Sequence, residues 1–108
     1  MARKTLRVSL NTNLNPAVRV DPVVYGTKKM RFKPHKKSSN FTFADIQFPN
    51  PNSPFNKKSL KSDEIKVDNG KNSGDWEYIL TVIDDQGQPH TSTTAGGPPA
   101  GGKPVIRN

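Results

Sequence analysis

Apolar and polar residues alternate most regularly between residues 76 and 83. Trp76, Tyr78, Leu80 and Val82 form one set, and Glu77, Ile79, Thr81 and Ile83 form the other. Strict alternation in a run rich in aromatic and β-branched residues predicts a strand with one buried face. The Trp/Tyr/Leu/Val set is the larger and more apolar, so it is assigned to the core. The two isoleucines of the second set predict partial cover on the opposite face, as expected of a central strand.

The period of two recurs along the chain. Leu6, Val8 and Leu10 alternate with Thr5, Arg7 and Ser9, which predicts a strand over 5–10. Residues 17–20 and 23–25 read as short extended pieces split by Asp21-Pro22, where a proline favours an edge or a switch between sheets. Residues 28–33 read Lys-Lys-Met-Arg-Phe-Lys. Met30 and Phe32 point one way, and Lys29, Arg31 and Lys33 the other. Phe41 and Phe43 share a phase that Ile46 and Phe48 do not, so a bulge or break is expected around Ala44-Asp45. Ile65 and Val67 mark a further strand. Asp84-Asp85-Gln86-Gly87 predicts a hairpin turn, with a weakly apolar return strand over 88–94 at an edge.

The intervening stretches carry turn chemistry. Residues 11–16 are rich in asparagine, and 34–40 read as a polar loop. Residues 49–62 lack a period and are expected to form a surface loop pinned by Phe55 and Leu60. Residues 95–103 are rich in glycine and proline. The chain thus divides into a β-domain over 1–94 and a Gly/Pro-rich segment over 95–108. Within that segment Val105 and Ile106 either return as a last short strand or dock onto a partner.

About seven to eight short strands with near-regular turn signals predict an all-β protein, an immunoglobulin-like antiparallel β-sandwich. Trp76 and Tyr78 would fill the core-aromatic and tyrosine-corner roles of such domains. The alternative is a small barrel such as an OB-fold. Helix is disfavoured, because 10 prolines recur through 108 residues and no window shows apolar positions at helical spacing.

A resemblance covers most of the chain. It is carried by Asp21-Pro22 followed by Val-Val-Tyr-Gly, by Met-Arg-Phe, by the phenylalanine-rich strand, by residues 74–82 and by the closing Gly-Gly-Lys-Pro-Val-Ile-Arg-Asn. In these segments the chain resembles the DP-EP family of small bacterial proteins. The resemblance implies a bacterial origin and an immunoglobulin-like sandwich. It brings no catalytic or binding residue with it.

Charge sharpens the picture. Residues 1–60 hold 12 Lys/Arg and 2 acids, a balance of +10, whereas residues 61–108 hold 5 and 7, a balance of −2. A basic half joined to a slightly acidic half points to an anionic partner or to charge pairing between neighbouring strands. Lys29, Arg31 and Lys33 fall about 7 Å apart on one strand face, and His35, Lys36 and Lys37 continue the patch. That spacing suits a nucleic acid or other polyanion bound by counterion release. The competing reading is an edge strand guarded by lysines. It gains weight because binding of single strands calls for a platform of exposed aromatics, whereas of the nearby rings Phe32 is expected to be buried and only Phe41 or Tyr25 remains.

Catalysis is not expected. There is no cysteine, and hence no disulfide, thiol nucleophile or thiolate metal site. Two loop histidines and two methionines do not make a copper centre. No strained nucleophile elbow or phosphate cradle is present, and Asp84-Asp85 reads as turn chemistry. No cofactor is implied. Arg7 and Ser9 interrupt the apolar run at the start of the chain, so a signal peptide is not expected, and the reading is a soluble cytoplasmic protein without membrane contact. Two functions follow. The first is a noncatalytic interaction module with a protein partner, reached by sheet-edge addition or by docking of residues 105–108. The second is polyanion binding through Lys29, Arg31, Lys33, Lys36 and Lys37.

Overall fold

The computed structural model describes residues 4–11, 17–21, 23–35, 40–92 and 104–108. These form eleven strands and, among the described residues, no helix. They are β1 (Lys4–Asn11), β2 (Ala17–Arg19), β3 (Val23–Tyr25), β4 (Lys29–Pro34), β5 (Phe41–Gln47), β6 (Phe55–Lys61), β7 (Glu64–Asn69), β8 (Asp75–Glu77), β9 (Ile79–Asp84), β10 (Pro89–Thr91) and β11 (Val105–Arg107). Three sheets result: β2-β1-β4-β7-β6, β10-β9-β5 and β3-β11-β8. The all-β class is as expected, and the several sheets are consistent with a sandwich. No described helix is long and apolar enough to cross a membrane.

The alternating residues close one core. Leu6, Val8 and Leu10 from β1, Met30 and Phe32 from β4, and Ile65 and Val67 from β7 join Phe41, Phe43, Ile46, Tyr78, Leu80, Val82 and Ile106 in a single buried cluster. Tyr78 is its largest fully buried side chain. Its ring meets Phe32 edge-on at 5.3 Å between centroids and Phe48 at 6.3 Å, and Phe48 in turn stacks on Phe55 at 4.7 Å. These contacts tie the outermost strand of the five-stranded sheet to the β9 layer.

Several expectations hold. The bulge falls between Phe43 and Asp45 in the β5–β9 ladder. The change of sheet at Asp21-Pro22 is seen as β2 in one sheet and β3 in another; Pro22 itself lies outside the described residues. The turn after β9 is a hairpin closed by Gly87 N–H to Asp84 O at 3.0 Å, with Gly87 at φ +83°, a conformation that favours glycine. The return strand, β10, lies at an edge. The turn at 12–16 and the tail over 95–103 lie outside the described residues.

Other expectations are corrected. The run 76–83 is not one strand. It divides at Tyr78, whose N–H donates to Pro104 O at 3.1 Å, so β8 pairs with β11 and β9 with β5 and β10. The side-chain alternation continues unbroken through the division, so a period of two carries no sign that the hydrogen-bond partners change. Trp76 is partly buried rather than deep, and its indole N–H donates to Asn72 O at 3.0 Å. An acceptor at the rim satisfies that N–H better than an apolar centre would. Tyr78 forms no tyrosine-corner hydrogen bond among the described residues.

The predicted loop over 49–62 holds a strand, β6. Phe55 is buried as expected, but Leu60 is exposed. A register shift between Lys57 and Ser59 breaks the alternation that would have revealed the strand. Pro34, placed in a loop by its sequence, ends β4. Strand β4 lies between β1 and β7, so it is central and not a lysine-guarded edge. Finally, the sheets are not wholly antiparallel, since β1 pairs with β4 and β3 with β11 in parallel.

Candidate functional site

Every residue on β1, β4 and β7 that alternates with a core residue points to the far side of the five-stranded sheet. Partners in register share a face, so the ladders assemble that side row by row. Thr5, Arg31, Lys66 and Ser59 form one row, and Lys29, Asp68 and Asn56 another. Arg7 lies opposite Lys33, Ser9 opposite Arg19, and Glu64 opposite Lys61. Lys58, at the register shift, reaches Asp68 at 3.9 Å and so belongs to the same side. Among the described residues the face carries eight cations (Arg7, Arg19, Lys29, Arg31, Lys33, Lys58, Lys61 and Lys66) against two acids (Glu64 and Asp68), an excess of six positive charges. The five strands span roughly 19 Å at about 4.8 Å spacing.

Each acid sits between two cations. Asp68 is 3.2 Å from Lys29 and 3.9 Å from Lys58, and Glu64 is 3.7 Å from Arg31 and 3.8 Å from Lys66. The Arg31 Nε also donates to Thr5 Oγ1 at 2.8 Å. Charge pairing between neighbouring strands, one of the two readings of the charge asymmetry, therefore occurs here. It neutralises only part of the face. Such partly exposed pairs contribute about 0–1 kcal/mol each, so they yield readily to a stronger anion. Among the described residues no aromatic ring lies on this face.

The structure places Lys29, Arg31 and Lys33 together as expected, while Lys36 and Lys37 lie outside the described residues. Arg7, Arg19, Lys58, Lys61 and Lys66 belong to the same surface and were missed. Arg7 and Lys66 carried a local signal, since each sits between buried residues in an alternating strand. The order of strands that unites them did not. Val105 and Ile106 take the returning-strand alternative: β11 lies between β3 and β8, and Ile106 is wholly buried in the protein's own core.

The histidines lie elsewhere. His90 Nε2 is 2.8 Å from Asp84 Oδ2, and Asp84 Oδ1 accepts from the N–H groups of Gln86 and Gln88 at 2.9 and 2.8 Å. Both carboxylate oxygens are thus spent on the hairpin. His35 lines a groove beside β1 together with Arg7, Arg19 and Asp21. Among the described residues no group of three His, Asp or Glu side chains could hold a metal.

Three carboxylates are held below their ordinary range: Asp84 by His90 and the two backbone N–H groups, Asp75 by the Arg107 guanidinium, and Asp45 by Lys57. A carboxylate whose folded pKa is depressed stabilises the fold above its unfolded pKa and loses that contribution as pH falls through the folded value. Stability is therefore expected to be level near neutrality and to drop below about pH 4. Urea unfolding at a series of pH values checks this, and Asp84→Asn should flatten the acid limb. An unchanged acid limb in that variant would remove Asp84 from the account.

No protein-family model matches the chain, and no characterised protein aligns with it.

Proposed function

We propose that the chain is a noncatalytic interaction module, an immunoglobulin-like sandwich of the kind the DP-EP resemblance implies, which holds an anionic macromolecule on the outer face of its five-stranded sheet. One observation carries this reading: the ladder registers bring eight cations and only two acids onto one surface. A flat face of one sign attracts a polyanion, and release of its counterions drives binding. Cations repeat about 7 Å along each strand and about 4.8 Å between strands, so several anionic groups engage at once. With no aromatic ring on the face among the described residues, recognition rests on charge and spacing rather than on stacking against bases.

Heparin and a short DNA duplex are the probes. Affinity is expected to fall steeply with salt, by about 0.9 log units per log unit of salt for each contact made to duplex phosphate. Arg7→Glu with Lys33→Glu should weaken binding at least ~10-fold at low salt, through loss of those contacts. Lys57→Glu with Lys71→Glu makes the same change in net charge away from the face and should leave most of the affinity. Equal losses in both pairs, or no binding to either probe at low salt, would dispose of the reading.

A further inference from the structure

Among the described residues, one edge of the five-stranded sheet is left open. Strand β2 covers β1 only at Ser9, Leu10 and Asn11. On its other side β1 is paired with β4 from Lys4 to Val8. The Val8 carbonyl accepts from the His35 N–H, so the backbone groups of Val8, Leu6 and Lys4 face β4. In a parallel ladder successive residues face opposite sides, so the N–H and C=O groups of Thr5 and Arg7 face away from β4. Among the described residues no strand pairs with them there.

That edge borders a groove of about 460 Å³, within the ordinary range for a binding cleft. Lys4, Thr5, Leu6, Arg7 and Ser9 form one wall, and Arg19, Val20, Asp21 and Val24 the other, with His35 beside them. Leu6, Val20 and Val24 are buried, so the floor is apolar. Arg7 and Arg19 stand exposed at the rim, and Asp21 is the one acid among the described lining residues. Lys4 Nζ donates to Tyr25 O at 2.8 Å and ties β3 to the start of β1.

The opposite edge of the sheet is treated differently. Strand β6 carries a register shift, is lined with lysines, and turns Lys57 to its core side, where it meets Asp45 at 2.9 Å. Bulges and inward charges of this kind block strand addition. The stretch of β1 from Lys4 to Val8 has no proline and no bulge. The chain's own residues 93–103 are a poor filler for the groove, because they contain two prolines, four glycines and no acid.

We propose that an extended acidic segment of a partner protein adds as a strand to β1 in this groove. Its N–H and C=O groups would pair with Thr5 and Arg7. One set of alternate side chains, apolar and small, would lie on Leu6, Val20 and Val24, and the acidic set would meet Arg7 and Arg19. This deepens the anion-binding reading and rests on it, because it names the partner as a polypeptide and the edge as its dock.

The probe is a capped hexapeptide of alternating glutamate and valine, titrated into the intact chain with heparin as a parallel control. Binding is expected to slow hydrogen exchange of the Thr5 and Arg7 amides. N-methylation of at least one alternate set of peptide amides should weaken binding at least ~10-fold, since each ladder bond needs its donor. A peptide of the same composition with its glutamates and valines in separate blocks should bind more weakly. If heparin binds but the alternating peptide does not, the strand-addition site is wrong and the anion-binding face stands. The strand-addition site is equally wrong if methylation and block order have no effect, or if the Thr5 and Arg7 amides gain no protection. If heparin itself fails to bind, both fall.

Discussion

Tyr78→Ala is expected to cost about 3–5 kcal/mol, the loss seen when a large buried aromatic side chain is truncated. Tyr78 has no exposed surface, and its ring packs against Phe32 of β4 and against Phe48, which follows β5. It also occupies the point at which the chain leaves the β8 sheet for the β9 sheet, so the cavity would open where three sheets converge. Against a total stability of ~5–15 kcal/mol, the variant would be marginal. Tyr78→Phe should behave in the opposite way. Burial, together with the nearby Asp21 charge, pushes the phenol well above its usual pKa, and its hydroxyl has no hydrogen-bond partner among the described residues. Deleting a buried polar group that lacks a partner removes a desolvation penalty of about 1–3 kcal/mol. The phenylalanine variant should therefore match or exceed the parent in urea. A loss of more than ~1 kcal/mol on Tyr78→Phe would mean that the hydroxyl is engaged after all.

Gly26→Ala carries the second large effect, about 2–3 kcal/mol of destabilisation from overpacking and lost hydrogen bonds. A Cβ at Gly26 would overlap Asn108 Oδ1 and fall 2.7 Å from Asn69 Nδ2 and 3.0 Å from Ile106 Cγ2. The two amides cannot simply swing aside. Asn69 Nδ2 donates to Asn108 Oδ1 at 2.9 Å, and Asn108 Nδ2 donates to Asn69 Oδ1 at 3.1 Å and to Asn72 O at 2.9 Å. Asn69 Oδ1 also accepts from the Lys71 N–H at 2.8 Å. This reciprocal pair clasps the end of β7 to the residue after β11. A double-mutant cycle with Asn108→Gly separates the causes. If crowding against the amide is responsible, most of the penalty for Gly26→Ala should vanish in the Asn108→Gly background. A penalty of the same size in both backgrounds would place the strain elsewhere.

Local pattern was legible in the sequence wherever one face of a strand meets the core. Leu6, Val8 and Leu10, Met30 and Phe32, and Ile65 and Val67 alternate cleanly, and each lies buried as expected. The slip at Ala44-Asp45 was legible because the pairs Phe41/Phe43 and Ile46/Phe48 fall out of phase there. Strand β6 was not, because Lys57, Lys58 and Lys61 line an edge and its register shift destroys the period. Nor was the division of residues 76–83, since Tyr78 keeps its phase while its neighbours change partners. The candidate site shows the same limit. The three cations of β4 could be read from one segment, whereas Arg7, Arg19, Lys61 and Lys66 join them only through strand order and register. Those are long-range facts that no short window contains.

The basic face as the binding surface is the claim on which the functional account turns. Titration of the isotope-labelled protein with a short heparin fragment, followed by NMR at low salt, tests it directly. The shifts are expected to concentrate on Arg7, Arg31, Lys33 and Lys66, whose side chains share the outer face, and to spare Leu80, Val82 and the hairpin at Asp84. Shifts centred on the hairpin, or spread evenly over exposed lysines on and off the face, would contradict it.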